Sequence, residues 1–74
     1  MDEALLNRLH DRAAALSPGE FHFPELYGEG WDRLWIGDKV RIGREFLNAV
    51  RAGRLPDVKD TGRKAGGGRI YRKR

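Results

Sequence analysis

The stretch Gly37–Pro56, GDKVRIGREFLNAVRAGRLP, constrains this chain most, because its apolar residues repeat with a helical period and little else. At about 100° per residue, Val40, Ile42, Gly43, Phe46, Leu47, Ala49 and Val50 occupy one half of a helical wheel. Arg41, Arg44, Glu45, Asn48 and Arg51 fill an arc of about 120° on the other half. Asp38 is placed to cap the N-terminus and Gly53 to sit just past the C-terminus. Pro56 then bars continuation. The predicted helix covers 38–52. Such a helix must bury one side against the rest of the chain. Gly43, in mid-helix, costs roughly 1 kcal/mol against Ala, so its place on the apolar half predicts the close approach of another backbone.

The chain that must supply the partner surface is short. Seventy-four residues make a single domain, 1–74, with a modest core. There is no cysteine, so neither a disulfide nor a Cys-ligated zinc can support it. No apolar run approaches the ~20 residues of a membrane span. The N-terminal MDEALLNRLH opens with acids, unlike a signal peptide. A cytoplasmic protein with no membrane partner is expected.

Residues 2–16 read as a first helix. Leu5, Leu6, Leu9, Ala13 and Leu16 fall within one arc, Asp2 and Glu3 suit the positive end of its dipole, and Ser17-Pro18-Gly19 stops it. Phe21 and Phe23 alternate around His22, which predicts a short extended piece. Pro24 suits the first turn of a helix, and Gly28 and Gly30 limit that helix to about a turn. Trp31, Leu34 and Trp35, at i, i+3 and i+4, are expected to share the face of a short irregular helix and to serve the core. The expected core joins Trp31, Leu34, Phe46, Leu47, Val50 and Ile70 to Leu5, Leu9 and Leu16. Residues 55–73 read as a basic hairpin, with extended arms at 55–59 and 69–73, a glycine-rich mobile tip at 62–68, and fraying at the last two or three residues.

The fold class is therefore α+β. The order is helix, short extended link, short helix, Arg-bearing helix and β-hairpin, which is that of a small winged helix-turn-helix-like domain, three helices followed by a C-terminal hairpin wing. The charge follows the same division. Residues 1–50 hold six Lys or Arg against nine acids, and residues 51–74 hold nine against two. That asymmetry points to a polyanionic partner. Lys39, Arg41, Arg44, Asn48 and Arg51 on the helix, and Arg63, Lys64, Arg69 and Arg72 on the hairpin, are the candidate nucleic-acid-binding residues. Arg and Asn suit bidentate contacts with guanine and adenine edges. The glycine-rich tip carries charge without fixed geometry, which suits phosphate.

From Phe21 to Arg72 the sequence resembles an uncharacterised family of short bacterial and phage proteins. The resemblance rests on Phe21 or Phe23, Glu25-Leu26, Trp31, Gly43-Arg44-Glu45-Phe46, Gly53-Arg54-Leu55-Pro56 and Tyr71, with Asp2–Leu16 outside it. It implies a winged-helix-like fold and a small gene of bacterial or mobile-element origin. It implies no activity.

Nothing in the residues points to an enzyme. His10 and His22 have no neighbours at metal spacing, the acids are dispersed, and Gly62-Arg63-Lys64 lacks the Ser or Thr and the following helix of a phosphate-binding loop. No cofactor and no metal are expected. The leading expectation is a non-enzymatic binder of double-stranded DNA, such as a small regulator. A regulator of this size needs two half-sites and hence a homodimer, with the first helix as the contact if its Ala13–Ala15 side is exposed. Two alternatives stand beside it. One is a protein-interaction module or phage-type inhibitor of a nucleic-acid-binding partner. The other is an RNA or single-strand binder using Tyr71 and exposed aromatics.

Overall fold

The computed structural model describes residues 1–74. Helix α1 spans Glu3–Ala15. The Asp2 carboxylate accepts from the Ala4 N–H at 3.2 Å and caps it. Its buried face is Leu6, Leu9 and Ala13. Strand β1 is Gly19–His22, and helix α2 is Phe23–Tyr27 with Pro24 in its first turn. A 3-10 turn follows at Trp31–Arg33, then helix α3 at Ile36–Arg51 and strands β2, Val58–Lys64, and β3, Arg69–Lys73.

The one-turn helix that Pro24 and Gly28 predict forms as α2, whereas the helix expected at Trp31–Trp35 is reduced to the 3-10 turn. Gly28 and Gly30, with φ of 77° and 97°, turn the chain twice. Leu34 and Trp35 are then extended. Trp31 and Trp35 therefore do not share a face. Trp31 packs edge-on to Phe23 and Tyr27, with each pair of ring centroids 5.3 Å apart, whereas Trp35 is 82% exposed. Helix α2 is fastened to α1 by two guanidiniums. Arg8 donates to the Tyr27 carbonyl at 3.1 Å and Arg12 to that of Leu26, and both carbonyls belong to the helix end that lacks internal donors. Gly28 lies against the Arg12 guanidinium, where a Cβ would collide.

Helix α3 starts two residues before Asp38, so Asp38 lies in its first turn and Trp35 holds the capping position without a side-chain bond. The C-terminus follows expectation. Gly53 adopts φ 77°, its N–H donates to Val50 O at 3.1 Å, and the Arg54 N–H donates to Ala49 O at 3.0 Å. These are the two bonds of a Schellman motif.

The hairpin is part of a larger sheet. Its order is β1-β3-β2, all antiparallel. The extended link at 19–22 supplies the third strand by pairing Phe21 with Tyr71, which puts β3 in the centre. The arm expected from residue 55 begins at Val58, because Leu55 instead closes a turn in which its carbonyl accepts from the Val58 N–H at 2.9 Å. An irregularity interrupts the β2–β3 pairing between Asp60 and Lys64. Gly62 lies in that bulge, so the tip is only Ala65–Gly68, closed by Ala65 N–H to Gly68 O at 3.0 Å. The end of the chain is not frayed. Lys73 is buried, and the Arg74 N–H donates to Asp57 O at 2.9 Å.

Phe46 anchors the core. It is fully buried, stacks on Phe23 with centroids 4.3 Å apart, and meets Tyr71 edge-on at 4.8 Å. Leu6, Leu9, Ala13, Phe21, Leu26, Ile42, Ala49, Val50, Leu55 and Val58 complete the shell. Of the residues expected in the core, Leu9, Phe46 and Val50 are part of it, whereas Ile70 is buried but lies outside it, because it alternates with core-facing Tyr71 along β3. Leu5, Leu16, Trp31, Leu34 and Leu47 are half-buried at its margin. Nothing lies within 4 Å of where a Gly43 Cβ would stand, so no backbone of this chain approaches it. No helix is long and apolar enough to cross a membrane.

Candidate nucleic-acid interface

The core fixes α3 beside the sheet, and the space between α3, the start of α2 and the hairpin tip is an open groove of about 550 Å³. Lys39 and Arg44 line it from α3, and Lys64 and Arg69 line it from the hairpin. Phe23, Trp31 and Tyr71 are among its apolar walls, and no Asp or Glu contributes to the lining. Lys39 Nζ lies 6.0 Å from the Trp31 ring centroid, close enough for a cation–π attraction. Arg44 and Lys64 are exposed.

The other candidates are placed differently. Arg41 is exposed but lies 3.3 Å from Asp38 and 3.1 Å from Glu45 on its own helix. Asn48 is exposed on the flank that faces Met1 and Arg54. Arg51 lies 3.6 Å from Asp60. Arg63, expected free at the tip, pairs with Glu20 of β1. Arg72 alternates with core-facing Tyr71 along β3, so it is exposed on the opposite face of the sheet. The groove thus gathers four of the nine candidates.

Arg69 both lines the groove and holds it together. It donates to both oxygens of Asp60, at 3.0 and 3.1 Å. Burial alone would raise the Asp60 pKa. The Gly62 N–H, the Arg69 hydrogen bond, and the charges of Arg69 and Arg51 more than offset it, and the carboxyl titrates below its ordinary value. Tyr71 is pushed up to about 12, first by burial and then by the Asp60 charge, so the groove wall carries a neutral phenol at physiological pH.

The structure adds residues that sequence reasoning missed. His22 Nε2 lies 2.6 Å from the Ala65 carbonyl, to which it donates, and this pins the hairpin tip to the end of β1. Its Nδ1 is 3.5 Å from a Glu25 oxygen. The tie joins residues 43 positions apart, and no local pattern signals it. The second addition is apolar. Ile36 is 76% and Val40 59% exposed, both on α3, and Val40 lines the groove. The helical wheel places Val40 on the apolar half, but that half is wider than the core it meets.

These elements define a small α+β domain, three helices packed on a three-stranded antiparallel sheet, with a basic groove between the longest helix and the hairpin. The chain belongs to the family described as Domain of unknown function (DUF1413), whose model matches residues 7–73. Most of α1 therefore falls within the family, although the motifs that carried the resemblance began at Phe21. Searches of curated proteins and of solved structures gave no match.

Proposed function

We propose that the domain is a winged helix-turn-helix-like binder of double-stranded DNA, serving a small regulator of bacterial or mobile-element origin. One observation carries this reading: Lys39, Arg44, Lys64 and Arg69 line a groove that contains no carboxylate, between a helix and a hairpin tip. The element order and the β1-β3-β2 strand order support the winged-helix part. In this reading the exposed face of α3 enters the major groove, and the hairpin lies along a neighbouring backbone. Arg44 and Asn48 meet base edges, while Lys39 and Lys64 meet phosphates. Arg41, Arg51, Arg63 and Arg69 keep their acidic partners and contribute less than free cations would.

Titration of the protein with duplex DNA, single-stranded DNA and RNA across a salt series, together with its oligomeric mass, tests the proposal. Duplex is expected to bind tightest, with affinity falling linearly in log–log salt. The exposed Trp35, Ile36 and Val40 favour a second reading, a protein-interaction module, since contiguous apolar surface marks such sites. That reading predicts no duplex affinity at low salt.

A further inference from the structure

Ile36, Val40, Arg44 and Asn48 follow one another at four-residue spacing along α3, and all four are exposed. Side chains at this spacing form a ridge on a helix surface. At 1.5 Å per residue its members stand about 6 Å apart along the axis. The first two are apolar and the last two polar. Resting on the duplex-DNA reading above, we infer that Ile36 and Val40 contact the C5-methyl groups of thymines in the major groove, so that the N-terminal half of α3 selects thymine while Arg44 and Asn48 read purine edges further along.

Three observations carry the assignment. Aliphatic side chains on a solvated helix face lose apolar area to water unless something covers them, and nothing in this chain does. The covering surface must be anionic nearby, because Val40 shares its groove with Lys39, Arg44, Lys64 and Arg69. A second copy of the chain meets that requirement badly, since it would bring the same cations face to face. In duplex DNA the thymine methyl is the apolar group that the major groove presents, with phosphates on either side. Successive ridge positions, about 6 Å apart, fall about two base steps apart for a helix lying along the groove. Gly43 lies on the same side of α3 and lines the groove, with open space where a Cβ would be. This leaves room for a base pair to approach.

The test uses duplexes that the protein itself selects from a random pool, each then remade with uracil in place of thymine. This removes the methyl and leaves every hydrogen-bonding group of the base in place. The parent should lose about fourfold in affinity for each methyl contacted, the equivalent of one buried methylene. In a variant carrying Ile36→Ser and Val40→Ser, thymine and uracil duplexes should bind alike. Both side chains are mainly in solvent, so the variant's melting curve should match the parent's and serve as the folding control. Equal binding of thymine and uracil duplexes by the parent, or selected sites without fixed thymines, overturns the methyl assignment while leaving duplex binding intact. Failure to bind any duplex overturns the underlying reading, and the methyl assignment with it.

Discussion

Lys73 donates through Nζ to the carbonyl oxygen of Leu16 at 3.0 Å, linking residues 57 positions apart. Leu16 is the C-terminal cap of α1, where helix carbonyls lack internal partners and a cation is favoured by the dipole. Only 7% of Lys73 is exposed. The penultimate residue of a basic chain end is therefore a structural fastener.

Replacing it tests that role. Lys73→Ala should lower stability by about 1–3 kcal/mol, because it leaves a partly buried carbonyl without its charged donor. For a domain of this size that is a fall in melting temperature of about 4–8 °C per kcal/mol. A variant that melts with the parent would return Lys73 to the frayed tail that composition alone predicts.

Gly43→Ala should act in the opposite direction. The position has ordinary helical backbone and open space for a Cβ. Ala should therefore stabilise the domain by roughly 1 kcal/mol through helix propensity. Because Gly43 lines the groove, the same methyl should weaken duplex binding. Chemical denaturation and binding titration on one preparation read both effects. A loss of stability would show that Gly43 is packed.

The Asp60–Arg69 tie makes stability depend on pH in a stated direction. The folded-state pKa of Asp60 lies below its ordinary value of 3.8. Its contribution is therefore complete above that value and disappears as pH falls through the lower folded one. Tyr71 acts at the other end. Its folded pKa, about 12, exceeds the ordinary 10.0, so its contribution is complete below 10.0 and is lost as pH rises through about 12. Asp60→Asn should flatten the acid limb of a stability–pH curve measured by urea denaturation. An acid limb identical to the parent's would mean that other carboxylates set it.

Local pattern and long-range pairing divide what the sequence reveals. Helix α3 and its Schellman end were legible because periodicity and Gly53 lie within a few residues of what they specify. The role of Gly19–His22 as a third strand was not, since pairing with β3 depends on residues some fifty positions away. Trp35 was misplaced because an i, i+4 relation to Trp31 assumes one continuous helix, whereas the chain is extended at Leu34 and Trp35. The site divides in the same way. The acids around Arg41 stand at i−3 and i+4 and were readable in advance. The pairing of Arg63 with Glu20 spans 43 positions and was not. The groove arises only when α3 and the hairpin tip meet, so its lack of carboxylates has no local signature.

The most direct measurement of the central claim is the salt dependence of duplex binding for the parent, Arg63→Ala and Lys64→Ala. Lys64 lines the groove without an ion-pair partner, whereas Arg63 is held by Glu20. The account predicts that the parent binds duplex DNA at low salt. It also predicts that Lys64→Ala reduces the log–log slope by about 0.9, the value of one phosphate contact, and that Arg63→Ala reduces it by less. A parent that does not bind duplex DNA at low salt, or a larger change of slope for Arg63→Ala than for Lys64→Ala, would contradict it.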